Sequence, residues 1–159
     1  MTIEIRCLKP DDWVLYREMR LAALRDSPFA FGSTYEGEAA HAEPVWRERL
    51  QGRSLFMALE SGRAAGLAAG VRNRERPDEA LLVSMWIAPA FRGRGIGEKL
   101  VQSVLTWTAS KGFSRITLEV TEGNDAAERL YRRCGFERTG HVDRTEPDKP
   151  TFEMARHVS

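Results

Sequence analysis

Cysteine and histidine are scarce in this chain: 159 residues hold two cysteines, Cys7 and Cys134, and three histidines, His41, His141 and His157. The cysteines stand far apart and outside any CxxC spacing, so neither a disulfide framework nor a zinc site is indicated, and both are expected to be free thiols. The histidines have no ligand spacing either, which argues against a resident metal. Long apolar runs are also missing. The opening MTIEIRCLKP alternates apolar with polar residues where a signal peptide would have an uninterrupted apolar core, and no later run approaches the length of a transmembrane helix. A cytoplasmic protein without a membrane partner is expected. Charge of one sign is lacking too: 24 Lys and Arg against 23 Asp and Glu leave a net charge of +1, which gives no electrostatic case for DNA, RNA or anionic lipid. The short basic run of Arg72, Arg74 and Arg76 is interleaved with acids and reads as a solvated hairpin loop. Repeats, low-complexity tracts and linkers are absent, so residues 1–159 read as one domain, long enough to bury a core.

What is present is an alternation of strand and helix patterns. Ile3, Ile5 and Cys7 alternate with polar neighbours as in a half-buried strand. Asp11 or Asp12 can cap an amphipathic helix that carries Trp13, Tyr16, Ala23 and Leu24 and ends at Ser27-Pro28. A second helix is expected from about Glu38 or Pro44 to Leu50. Strands at about Ser54 to Leu59 and Ala64 to Arg72 flank a turn at Ser61-Gly62. Ala80 to Ala88 (ALLVSMWIA) is nearly all apolar, as for a central strand covered on both faces. FRGRGIG then opens a helix with a stripe of Ile96, Leu100, Val104 and Trp107 that closes at Lys111-Gly112. A strand at Arg115 to Thr121, a helix from about Asn124 to Cys134, and strands at about Phe136 to Asp143 and Thr151 to His157 complete the chain.

A buried strand followed by an Arg- and Gly-rich turn at a helix start is an arrangement for gripping phosphate, because unpaired amides there point at the anion. Arg92 and Arg94 add charge, and glycines at 93, 95 and 97 let a pyrophosphate approach the backbone. Two nucleotide-binding patterns fail on spacing. A Walker A loop needs Gly-Lys-Ser/Thr where this chain has Gly97-Glu98-Lys99, and a GxGxxG fingerprint beginning at Gly93 would need glycine at position 98.

The string VSMWIAPAFRGRGIGEKL, with arginine at 92 and glycines at 95 and 97, resembles the acyl-CoA-binding signature (Q/R-x-x-G-x-G/A) of the GNAT family of N-acetyltransferases. Downstream, LEVTEGNDAAERLYRRCGF is similar to that family's second signature, an asparagine leading a helix with Leu-Tyr that closes on Gly-Phe. The resemblance implies an α/β fold: a splayed, mixed and mainly antiparallel sheet of about seven strands flanked by about four helices. It implies acetyl-CoA as co-substrate, lying between the strand that ends at Ile87 and the strand around Leu118. Backbone groups of Met85, Trp86 and Ile87 would hold the pantetheine arm. Amides of the turn from Gly93 through Arg94, Gly95, Ile96 and Gly97 to Glu98 would hold the pyrophosphate, and Asn124 would contact the cofactor too.

The implied reaction is direct attack of a primary amine on the thioester in a ternary complex. A lysine-like amine with a pKa of about 10.4 is neutral in only about one molecule in 10³ at pH 7, so a base must take its proton. Resemblance to the ribosomal-protein alanine acetyltransferases makes Glu119 the candidate, with Glu36, Glu38 and Glu79 as other acids that could flank the acceptor. A backbone N–H near Trp86 or Ile87 would stabilise the oxyanion. Tyr131 occupies the family's general-acid position, where a phenol stays protonated at neutral pH and can donate to the departing thiolate. Cys134 has no histidine partner and reads as a buried structural thiol. The acceptor is expected against Phe29 to Glu38 and Asp143 to Pro150. Acids there (Glu36, Glu38, Asp143, Glu146, Asp148) could attract a cationic small molecule or a peptide N-terminus, and Phe29, Phe31 and Tyr35 could line a pocket. Two further readings stay open: a non-catalytic acyl-CoA-binding sensor, and a nucleotide-binding protein. Exposed sheet edges allow a homodimer without requiring one.

Overall fold

The computed structural model describes residues 2–27, 33–51 and 54–158. Its seven-stranded sheet has the order β1-β2-β3-β4-β5-β7-β6. The strands are β1 (Ile3–Cys7), β2 (Ser54–Glu60), β3 (Arg63–Arg72), β4 (Glu79–Ile87), β5 (Arg115–Thr121), β6 (Glu137–Asp143) and β7 (Thr151–His157). Every neighbouring pair is antiparallel except β4 and β5. The mixed, mainly antiparallel sheet expected from the sequence is therefore the one observed.

Helices cover both faces. On one side α1 (Trp13–Asp26), α2 (Tyr35–Ala39) and α3 (Glu43–Gln51) enclose a core with Tyr16, Leu24 and Trp46, packed on Leu55, Met57 and Leu67. On the other, α4 (Ile96–Ser110) and α5 (Asp125–Arg133) cover a core with Ile96, Leu100, Val104, Ile116, Phe136 and Met154. The helix stripe read in the sequence is buried at Ile96, Leu100 and Val104, while Trp107 is only partly covered.

Two expectations need correction. One helix was expected between the first helix and the hairpin, and two are present, α2 and α3. Thr34 starts α2 by accepting from the Gly37 amide at 3.1 Å, which a reading by apolar periodicity cannot detect in five residues. The apolar β4 was expected to be covered on both faces, yet only Ala80, Leu82 and Trp86 are buried, and Val83–Met85 are half-buried where the second half lines a cleft. Pro28, Phe29 and Phe31 lie outside the described residues. Among those described, no helix is long and apolar enough to cross a membrane.

Candidate active site

The cleft arises where the sheet comes apart. Parallel pairing joins Glu79 to Arg115, Ala80 to Ile116 and Leu81 to Thr117, and stops there. Beyond Leu81, β4 continues only with β3 and β5 only with β7. The gap is a cleft of about 650 Å³, walled by Leu82–Ile87 on one side, Leu118–Thr121 on another, and the start of α4 and the inner face of α5.

One residue too many sets the shape of the β4 wall. Leu67 pairs with Trp86 and Ala69 with Val83, so three steps along β4 match two along β3. This bulge puts Ser84 at φ 59°, an uncommon conformation for a side chain without glycine's freedom. Arg20 donates to the Ser84 Oγ at 3.4 Å and to the Glu38 carboxylate at 3.0 and 3.1 Å, while Arg49 donates to Glu38 Oε1 at 2.7 Å. Glu38 is 2% exposed. Burial alone would raise its pKa, but the Arg20 and Arg49 guanidiniums outweigh it and hold the carboxyl down at about 2. Glu38 is thus a structural anion committed to two arginines and unsuited to taking a proton. Glu79 is also excluded from the site, since it pairs with Arg115 at the closed end of β4. Glu36 is exposed on α2.

The turn before α4 presents backbone rather than charge. Gly95 takes φ 79° as the residue preceding the helix, and neither it nor Gly93, at φ 77°, would place a Cβ within 4 Å of anything. Free amides of the first helical turn therefore face a surface without side chains. The two arginines of the turn are committed elsewhere. Arg92 donates to Ile87 O at 2.9 Å and to Asp26 Oδ2 at 2.7 Å, and Arg94 grips Glu60 at 3.0 and 3.2 Å. Both guanidiniums, expected to add charge for a phosphate, are thus ion-paired here, and the Ile87 carbonyl accepts from Arg92. Gly97 serves a different purpose from Gly93 and Gly95. A Cβ there would come within 3.1 Å of Leu130 and 3.2 Å of Met85, so glycine lets α5 and β4 close on the helix.

The opposite wall carries the titratable groups. Asn124 caps α5 by accepting from the Ala127 amide at 3.2 Å, and it lines the cleft. Tyr131 lines the cleft from α5 at 6% exposure, edge-on to Phe136 at 5.9 Å, with no hydrogen bond to its hydroxyl from any described residue. Burial, with a smaller contribution from Cys134, pushes its pKa up, so the phenol keeps its proton. Cys134 is buried, and that burial raises its thiol, consistent with a structural role. Glu119 projects from β5 directly opposite Glu153 of β7. Partial burial first, then the charges of Asp143 and Glu153, raise its pKa; His141 opposes them. A carboxylate with raised basicity and a phenol locked in its protonated form thus border one cleft.

Sequence reasoning missed several of the groups gathered here. Asp26 holds both Arg92 and the Trp86 indole N–H, and no local signal marks it. Glu98 was assigned for its amide, but its carboxylate accepts from Arg133 at 2.7 Å, and both residues line the cleft. A third basic residue in the RLYRR run was the available sign of Arg133.

An open strand edge, a glycine-lined turn at a helix N-terminus and a proton donor in the wall suit a long ligand with an extended arm and an anionic end. Residues 17–136 match the family model described as Acetyltransferase (GNAT) family. The N-alpha-acetyltransferase RimI of Mycobacterium tuberculosis is 35% identical over 96 residues, 59% of either chain. An uncharacterized N-acetyltransferase of the same species is 32% identical over 88 residues, 55% of either chain, so the matched stretch spans only a little over half of such relatives. The ribosomal-protein-S18-alanine N-acetyltransferase of Escherichia coli superposes with a TM-score of 0.73 at 21% identity, covering 99% of this chain and 95% of that one. The PaiA N-acetyltransferase of Thermoplasma acidophilum, in complex with coenzyme A, gives 0.74 at 18% identity, covering 99% and 100%. At these identities the structural likenesses establish the fold.

Proposed function

The chain belongs to the GNAT acetyltransferase family, and from that membership we propose that it is a cytoplasmic, single-domain N-acetyltransferase that moves the acetyl group of acetyl-CoA to a primary amine of a small molecule. The observation that carries this reading is the parting of β4 from β5 beside a protonated Tyr131 whose hydroxyl has no hydrogen-bond partner among the described residues. The residues fit the co-substrate: the free edge of β4 from Leu82 to Ile87 suits the amides of a pantetheine arm, and the Gly93–Glu98 turn suits a pyrophosphate. Acetyl-CoA supplies an activated acyl group on sulfur. Glu119, directly or through water, takes the proton that the amine loses as its nitrogen lone pair bonds to the acyl carbon. A β4 backbone N–H near Trp86 stabilises the negative charge on the acyl oxygen. As the carbon–sulfur bond breaks and its electron pair leaves on sulfur, Tyr131 gives its phenolic proton to the thiolate.

A second acceptor reading, a peptide N-terminus, is favoured by the name of the RimI relative. Substrate size separates the two. A mixed pool of small amines, antibiotics and peptides incubated with isotope-labelled acetyl-CoA is expected to yield labelled product by mass spectrometry, and Tyr131→Phe to lower its rate by about 10²–10⁴. Coenzyme A binding without any labelled product would favour a sensor instead.

A further inference from the structure

Two arginines line the cleft, Arg92 and Arg133, and they differ in how firmly each is held. Arg92 is tied to Asp26 and to the Ile87 carbonyl, and Asp26 is itself fixed by the Trp86 indole. Arg133, at the end of α5, has a single ion-pair partner among the described residues, the Glu98 carboxylate in the first turn of α4, and the side chains are 57% and 46% exposed. Exposed ion pairs are the weakest class of salt bridge and exchange readily with a better anion. A phosphate is such an anion for arginine, whose planar fork matches its oxygens. The position is also telling. Glu98 lies at the helix N-terminus that would face the pyrophosphate, where its carboxylate opposes the very field that attracts an anion.

Resting on the reading that this cleft takes coenzyme A, we propose that Arg133 is a phosphate ligand of the co-substrate and that Glu98 competes with that phosphate for it. Binding then exchanges one partner of Arg133 for another. The two residues have opposite effects on affinity, although they form one ion pair. A bridge that merely braces α5 against α4 predicts the same effect from losing either partner.

Calorimetric titration of coenzyme A into the full chain tests this without any acceptor. Arg133→Ala is expected to weaken binding by about tenfold and Arg133→Lys by less, as for loss of a charge-assisted bond. Glu98→Gln is expected to tighten binding by about threefold, the scale of relieving one partly exposed like charge. The double variant should bind like Arg133→Ala, because without the arginine the competition has no object. Melting of each variant without ligand should match wild type, so that affinity is compared between folded proteins. Dephospho-coenzyme A identifies the phosphate: a Arg133→Ala effect that persists assigns the pyrophosphate, and one that vanishes assigns the 3′-phosphate. Unchanged affinity in Arg133→Ala, or weakening by Glu98→Gln, overturns the proposal while leaving the transferase reading intact. Failure of wild type to bind coenzyme A overturns both.

Discussion

The Oδ2 atom of Asp26, the last residue of α1, lies 2.7 Å from Nη2 of Arg92, and the same oxygen accepts from the Trp86 indole at 2.9 Å. One carboxylate therefore ties a helix end to the strand and the turn that form the cleft. The Trp86 N–H first, then the Ser27 hydroxyl and Arg92, hold its carboxyl below the usual carboxylate range. Asp26→Ala should destabilise the fold by about 1–3 kcal/mol, the cost of removing an acceptor shared by a buried indole and a guanidinium. Urea denaturation at pH 7 measures it, and unchanged stability would mean that the contact is incidental.

Glu38 yields a larger effect with a pH signature. Replacing it by Gln leaves Arg20 and Arg49 facing a neutral group in a buried place, which should cost about 3–5 kcal/mol. Because its folded pKa of about 2 lies below the ordinary value of 4.5, ionised Glu38 stabilises the folded state fully above about pH 4.5, and that stabilisation is lost as pH falls towards 2. The gap between wild type and Glu38→Gln in denaturation midpoints should be widest at pH 7 and shrink through that window.

Why the partners of these two carboxylates were illegible in the sequence is a matter of distance along the chain. Arg92 finds its partner 66 residues away, and Arg20 finds Glu38 at 18, separations at which no periodicity operates. Elements with strong local rules fared better. The strands Arg115–Thr121 and Thr151–His157 occur at the expected bounds, since alternation and flanking turns determine both ends. The helix Asp125–Arg133 sits between the expected Asn124 and Cys134, which are its two caps. The bulge at Ser84 carries no glycine or asparagine to announce it, and the apolar run around it suggested full burial. Only the parting of β4 from β5 explains why that strand is apolar yet open.

Glu119 and Glu153 stand opposite each other on β5 and β7, and Glu153 is one of the charges, after partial burial and Asp143, that raise the Glu119 carboxyl. If Glu119 is the base, activity should fall on acidification with an apparent pKa above the usual 4.5, since partial burial, Asp143 and Glu153 all raise it. Glu153→Gln removes one of those charges and should move that limb to lower pH, whereas Glu119→Gln should abolish it and slow turnover by about 10²-fold or more. Rate against pH for the three proteins decides the matter, and an unmoved limb in Glu153→Gln assigns it to another group.

Tyr131→Phe separates catalysis from folding. The hydroxyl has no hydrogen-bond partner among the described residues, and the ring keeps its contact with Phe136, so its removal should shift stability by no more than about 0.5 kcal/mol in either direction. Loss of turnover accompanied by unchanged melting would place the effect in the chemistry, whereas a large drop in melting temperature would make the hydroxyl structural.

Glycines 95 and 97 should respond to alanine in opposite ways. At Gly95 there is room for a methyl group but φ is 79°, so Gly95→Ala forces an L-residue into the left-handed region at a cost of about 1–2 kcal/mol. Gly97 sits inside α4 with an ordinary helical backbone, and alanine there gains up to about 1 kcal/mol in helix propensity. That gain meets a methyl 3.1 Å from Leu130 and 3.2 Å from Met85. Both are flexible side-chain ends bordering the cleft, so they yield into it by a few tenths of an ångström rather than strain the core. Gly97→Ala is therefore expected to keep near-native stability and lose coenzyme A affinity, and Gly95→Ala to lose stability first. Thermal melting with and without coenzyme A resolves the pair, because ligand stabilisation reports affinity independently of the starting melting temperature. A Gly97→Ala protein with undiminished ligand stabilisation would show that the cleft has slack at this point and that glycine serves only the packing of α5 on α4.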